Sequence, residues 1–263
     1  TSWIVIPYFS FLHGKTQHMG YVIFFLLTLL AEILGTIGGF GSSMFFVGLA
    51  QFAYDFKTVL ALTGLLHIFS NTSKLILFRQ SIQWKLVLWL GVSSTLLAIV
   101  GAFLTRWIEF TYAKLLLGLF LTFFSLWLWW RPSDRISPTL RNSVVGGALA
   151  GFLAGFIGTG GAVRGMVLAS FQLEKNLFVG TSAAIDFGVD LSRSIIYASS
   201  GFLDISLIGY LPFMLVASFA GSYIGKRVLE KITHETFRKI VLLLVLIIGL
   251  TLLGQELYLF ISW

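Results

Sequence analysis

Ten apolar blocks, at 20–37, 42–54, 58–78, 86–105, 112–130, 143–160, 162–173, 177–199, 204–225 and 237–260, fill most of this chain and constrain its fold more than any other feature. Most match the roughly 20 residues that carry a helix across a hydrocarbon core of about 30 Å. Charged residues make up 11% of the 263, against roughly 25% in a soluble domain, too few to coat a body of this size with water-facing polarity. The predicted class is therefore an all-α integral membrane protein. A porin-like barrel is excluded because Ile240–Leu253 and Leu86–Leu104 are almost continuously apolar, whereas barrel strands alternate over about ten residues. The 27 glycines and 26 phenylalanines suit helices that pack closely on one another and turn aromatic rings to lipid.

With no cysteine, the chain offers no disulfide, thiolate nucleophile or zinc-thiolate site, and no metal or cofactor is expected. The formal charge of +7 would suggest nucleic acid in a soluble protein. Here the basic residues cluster in short loops between apolar blocks, so the expected partners are a lipid bilayer and a small solute, and not nucleic acid.

The blocks 42–54 and 162–173 would each extend less than about 20 Å as helix, too short to span, and each follows a glycine cluster. They read as half-helices returning from a break. The surrounding sequence repeats. Glu32-Ile-Leu-Gly-Thr-Ile-Gly-Gly-Phe-Gly-Ser-Ser-Met44 resembles Gly155-Phe-Ile-Gly-Thr-Gly-Gly-Ala-Val-Arg-Gly-Met166. Asn71-x-x-Lys74-x-x-x-Phe78 then matches Asp190-x-x-Arg193-x-x-x-Tyr197, and Val100-Gly101-Ala102 matches Ala220-Gly221-Ser222. The expected organisation is an interfacial N-terminal segment at 1–19, a first membrane repeat at 20–130, a cytoplasmic linker at 131–141 and a second membrane repeat at 142–263. Five segments per repeat is odd, so the second copy is inverted, with the glycine-broken half-helices meeting at the midplane. Basic residues agree: placing 131–141 inside assigns eleven Lys and Arg to inside loops and four to outside segments, with both termini outside.

That orientation leaves Lys74, Arg164, Arg193, Glu32, Asp186 and Asp190 within the membrane. Buried charges are functional candidates because each costs several kcal/mol unless paired or solvated by a polar cavity. Asp186, Asp190 and Arg193 fall at i, i+4 and i+7 and share one helix face. Asp190 with Arg193 is either a structural ion pair or part of a site, and Glu32, Asp186 and Asp190 are the candidates for carrying a proton, Glu32 alternatively capping the broken helix.

Glycine lets the backbone leave helical geometry, and a broken helix at membrane depth is tolerated where it lines protein or a cavity. If half-helices start near Ser43 and Ala162, their free N–H groups and positive dipole ends face the midplane and favour an anion. The predicted substrate-binding set is therefore Gly38, Gly39, Gly41, Ser42, Ser43, Thr159, Gly160, Gly161 and Arg164, with Asn71, Lys74 and Arg193 brought to the same centre by the repeat. Arg164 offers a planar fork suited to an oxyanion and has no acid within one helical turn. The alternatives stay open: glycines that serve only packing, hydroxyls of Thr36, Thr181 and Ser182 bonded back to their own helices, a Lys74 that snorkels to the interface, and a His67 that is merely packed.

The doubled motif Gly35-Thr-Ile-Gly-Gly-Phe-Gly-Ser-Ser43 and Gly158-Thr-Gly-Gly-Ala-Val-Arg164, with Asp55-Phe-Lys-Thr58 and Gly180-Thr-Ser-Ala-Ala184, resembles the sulfite exporter TauE/SafE family over residues 20 to about 260. The likeness implies a cell-membrane transporter of sulfite, organosulfonates or related sulfur-containing anions, several of its members using the proton gradient. It also implies that the glycine-rich segments and Arg164 form the substrate region. Many members continue from the glycines into a proline-containing stretch, whereas this chain has Met44-Phe-Phe-Val-Gly48 and Met166-Val-Leu-Ala-Ser170. The expected function is secondary active transport of a small anion by alternating access, since no ATP-binding motif is present. The alternatives are a passive anion channel on the same scaffold and an intramembrane hydrolase built on Gly41-Ser42-Ser43 and His67.

Overall fold

A computed structural model describes residues 15–39, 41, 42, 46, 56–104, 111–131, 136–157, 160–199, 201 and 205–261. These residues form helices and no strand. In chain order the helices are α1 (Lys15–Gly38), α2 (Phe56–Leu77), α3 (Trp84–Leu104), α4 (Thr111–Trp130), α5 (Leu140–Ile157), α6 (Gly160–Ser170), α7 (Lys175–Ser199), α8 (Leu211–Lys231) and α9 (His234–Ile261). A π-helical turn at Val87–Gly91 interrupts α3, and a short 3-10 turn, Ile205–Tyr210, leads into α8.

Four stretches among the described residues are long and apolar enough to cross a membrane: Tyr21–Gly38, Trp84–Leu104, Ile208–Lys231 and His234–Gly254. α2 and α7 are also long, at 22 and 25 residues, but they carry His67, Asn71 and Lys74, and Asp186, Asp190 and Arg193. The surface is inverted relative to a water-soluble protein. Val22, Leu26, Phe123 and Trp130 are exposed while Glu32, His67, Asn71, Lys74, Arg164, Asp186, Asp190 and Arg193 are buried. Lipid can solvate the former but not the latter, so the charges collect where helices face one another. The chain is a multi-pass membrane protein.

α1 packs on α8, α3 on α5, α2 on α7 and α4 on α9, while α6 fits among α5, α7 and α9. Glycine sets the closest of these contacts. A Cβ at Gly147, Gly151 or Gly155 of α5 would lie 2.3, 2.0 and 2.0 Å from the carbonyl oxygens of Leu90, Ser94 and Ala98 of α3. One built at Gly221 of α8 would meet the Glu32 Cβ at 2.5 Å. Backbones therefore touch, with small residues at the seams.

Several boundaries differ from the sequence-based reading. α1 already begins at Lys15, inside the segment expected to lie at the interface. α8 runs to Lys231, so Lys226, Arg227 and Lys231 stand on helix where a loop from 226 was expected. α6 covers the expected short block at 162–173 but starts two residues earlier and ends at Ser170. Of the other short block, 42–54, only Ser42 and the helical Phe46 are among the described residues.

Candidate functional site

The first glycine cluster turns the chain back beside α1. Gly39 and Gly41 have φ of +75° and +100°, a left-handed backbone that glycine adopts without penalty. The turn brings Ser42 so close to Gly35 that a Cβ there would lie 2.6 Å from the Ser42 amide nitrogen. The Ser42 hydroxyl donates to Glu32 Oε1, and Ser70 of α2 donates to Oε2 at 2.5 Å. Lys74 donates to Ser70 Oγ at 2.6 Å and stands 3.5 Å from Glu32 Oε2. Lys74 is thus a buried counterion and not a snorkelling side chain. Glu32 ties the end of the break to α2, and its carboxylate is held by two hydroxyls and an ammonium.

A second group centres on Asp190 of α7. Its Oδ1 pairs with Arg193 Nη2 at 2.7 Å, and its Oδ2 accepts from Asn71 Nδ2 at 2.8 Å and faces His67 Nδ1 at 3.1 Å. Arg193 also donates to the Ala154 carbonyl at 3.3 Å, and Tyr197 to the Gly155 carbonyl at 2.6 Å. These two side chains satisfy carbonyls near the C-terminal end of α5, which lack helical donors. The geometry gives Arg193 a structural role in addition to its place at the centre. His67 is buried, with Nε2 lacking a partner among the described residues. Its ring lies against the bare Gly41, where a Cβ would approach Cε1 to 3.1 Å.

The third group corrects an expectation. Arg164 has no acid within one turn of α6, yet its Nη2 is paired with Asp186 Oδ1 from α7. Its Nε donates to Ser182 Oγ at 3.3 Å, and Ser182 donates to Asp186 Oδ2 at 3.4 Å. A search along one helix could not find a counterion 22 positions away on another. Arg164 is buried to 1% exposure, and its Nη1 has no partner among the described residues. The helix that carries it is itself enclosed, ten of its eleven residues being buried.

All six membrane charges are therefore paired: Glu32 with Lys74, Asp186 with Arg164, Asp190 with Arg193. The pairs are joined through two helices, since α7 carries both Asp186 and Asp190 while α2 carries both the Asn71 that donates to Asp190 and the Lys74 beside Glu32. Of the remaining expected site residues, Gly38, Gly160 and Gly161 are buried at the helix ends. A Cβ at Gly160 would meet the Ala150 carbonyl at 2.1 Å, so this glycine lets α6 fold back on α5. Ser43 and Thr159 lie outside the described residues. Thr181 accepts from the Gln83 amide and serves the start of α3. Ser70 escaped the sequence reading although it precedes Lys74 by one helical turn, a spacing that puts both on one face. Ser42 donates to Glu32 and His67 faces Asp190, so the serine–histidine contact of a hydrolase is not formed between them. Among the described residues no cluster of His, Asp and Glu is arranged for a metal ion.

The sulfite exporter TauE/SafE family model matches residues 24–252, spanning both glycine clusters and all six buried charges. No curated protein and no solved structure matches the chain. The match covers most of the 263 residues, and the chain belongs to the sulfite exporter TauE/SafE family of membrane transporters.

Proposed function

We propose that the protein is a secondary transporter that moves a small, sulfur-containing oxyanion such as sulfite or a sulfonate across the cell membrane by alternating access. The observation that carries the reading is Arg164. It is a buried guanidinium in the opening turns of α6, with one nitrogen on Asp186 and another, Nη1, without a protein partner. An anion placed there would meet the positive end of the α6 dipole and a forked donor together. His67 Nε2 is a further buried polar atom without a partner among the described residues, on the ring that faces Asp190.

The packing supports two inverted repeats. The first helix of each half lies on the fourth of the other, the third helices lie on each other, and so do the fifths, if the 42–54 block is counted as the second segment. A pseudo-two-fold axis in the membrane plane would produce this exchange, and the two halves could then rock about a site held between them. In this reading the linker at 131–141 is cytoplasmic, and the anion sits between α6, α7 and the first glycine break.

A thermal-stability screen of the detergent-purified protein against sulfite, thiosulfate, methanesulfonate, acetate and phosphate tests the proposal, since a ligand that binds the folded state raises its stability by mass action. Sulfur oxyanions should stabilise most. Arg164→Lys keeps a charge for Asp186 but loses the fork, and should weaken the best ligand by about 1–3 kcal/mol. A screen in which no anion stabilises the protein would remove the site.

A further inference from the structure

The three buried acids are not held equally. Glu32 accepts from Ser42 and Ser70 and is ion-paired with Lys74. Asp190 is held by Arg193 and Asn71 and faces His67. Asp186 has Arg164 and, at 3.4 Å, the Ser182 hydroxyl. Its side chain is also the most accessible of the three, 6% exposed against 0% for Glu32 and 2% for Asp190. The acid with the fewest protein partners therefore occupies the arginine proposed to receive the substrate.

Charge balance limits what can follow. Three acids and three bases cancel, the His67 imidazole adding no charge in its neutral form, so an anion added to the intact group would leave one negative charge uncompensated in a desolvated centre. Such a charge is avoided if a proton enters with the anion. Asp186 contacts Arg164 from α6 and Ser182 on α7, and the charged and titratable groups around it are His67 and Lys74 from α2 and Asp190 and Arg193 on α7 itself. Once Arg164 turns to a ligand, Asp186 lies beside Asp190 with its own counterion withdrawn.

We infer that Asp186 is a tethered competitor for the transported anion. An incoming oxyanion replaces the Asp186 carboxylate on Arg164 Nη2, also engages the unpartnered Nη1, and Asp186 takes up one proton as it is released. The proton comes from the aqueous phase open to the site and resides on the freed carboxylate, so a monoanion and a proton travel together with no net charge. The substrate class follows: the ligand presents two oxygens to one guanidinium, as sulfonates and carboxylates do, and leaves the site when Asp186 loses its proton and recloses on Arg164. This inference rests on the anion site proposed above.

The test is calorimetry of methanesulfonate, and separately thiosulfate, binding to the detergent-purified protein in two buffers of different ionisation enthalpy. Methanesulfonate stays ionised throughout, so protons taken up belong to the protein. The expected result is about one proton per methanesulfonate, with affinity falling about tenfold per pH unit wherever Asp186 is ionised in the free protein. Asp186→Asn should bind methanesulfonate without proton uptake and with no such pH dependence. Binding to the parent without proton uptake would overturn the exchange and leave the anion site standing. Uptake that persists in Asp186→Asn would transfer the proton to another group and overturn the role of Asp186. If Asp186→Asn does not fold, Asp186→Ser takes its place with the same expected result, and the two-buffer measurement on the parent still tests whether a proton is taken up. Failure of both anions to bind the parent would remove the anion site, and this inference with it.

Discussion

Gly151→Ala should cost far more than one methyl group ordinarily does. The added Cβ would lie 2.0 Å from the Ser94 carbonyl oxygen, 2.4 Å from Ser94 Cα and 2.5 Å from its carbonyl carbon, all backbone atoms of α3. No rotamer change can relieve a backbone clash, so α3 and α5 must part by roughly 1 Å to restore van der Waals distance. Parting them also disturbs the Gly147 and Gly155 contacts on the same seam and the 2.8 Å bond from Ser94 Oγ to the Gly147 carbonyl. Overpacking of this kind costs about 1–3 kcal/mol, and a backbone clash at the middle of a three-glycine seam belongs at the upper end. Three kcal/mol is a factor of roughly 150 in the folding equilibrium. Gly254→Ala is the control: it lies in α9 with nothing within 4 Å of the added Cβ. There the gain in helix propensity, up to about 1 kcal/mol, should leave stability unchanged or raised. The assay is thermal unfolding of both variants and the parent in the same detergent. If Gly151→Ala melts with the parent, α3 and α5 are not in backbone contact and the packing described above is wrong.

Gly39→Leu should abolish transport, because φ is +75° and a Cβ there would stand 2.6 Å from the Phe178 ring; transport at the parental rate would show that the turn is not required. Arg193→Gln should destabilise the protein by about 3 kcal/mol by stranding Asp190, and Asp190→Asn made with it should recover most of that loss, read as a coupling energy in a double-mutant cycle; additive losses would mean the pair is not coupled. Single cysteines test orientation in this cysteine-free chain. An impermeant maleimide added to intact cells should label cysteine at Ser2 or Thr111 but not at Ser137 or Thr233, and the opposite pattern would invert the proposed topology.

Hydrophobicity made the helices readable because lipid imposes one rule on every exposed position. α3, α4 and α7 begin within two residues of the expected blocks, and each ends within one. The rule fails where a helix leaves the membrane. α8 continues to Lys231 because Lys226 donates to the Leu77 carbonyl at 2.8 Å and Lys175 donates to the Leu229 carbonyl, so basic residues that read as loop are helix-end partners. The site was legible as a set and not as a wiring diagram. Six membrane charges were identifiable by cost alone, and Asp190 with Arg193 by spacing, since three residues on one helix are neighbours. Glu32 with Lys74 and Asp186 with Arg164 join different helices, and nothing in local sequence specifies which helices will face.

The same limit explains the two glycine clusters, which look alike in sequence and do different work. Gly39 and Gly41 take left-handed φ and reverse the chain so that Ser42 reaches Glu32. Gly160 lies within α6, and its missing side chain admits the Ala150 carbonyl of α5. One cluster supplies a backbone conformation, the other a close approach, and both lead to a buried acid paired with a base contributed by another helix. In the first case the acid precedes the break on α1 and the base, Lys74, is on α2. In the second the base follows the break on α6 and the acid, Asp186, is on α7. The order of acid and base is thus reversed between the halves, and among the described residues the forked guanidinium of this arrangement, Arg164 with its Nη1 unpartnered, belongs to the second half. Under the proposed function a monoanion that needs two donors binds at Arg164, so sequence symmetry need not give two equivalent sites. Lys74, already engaged by Ser70 and Glu32, holds the first half's acid in place, whereas the second half's acid is the one the proposed exchange displaces.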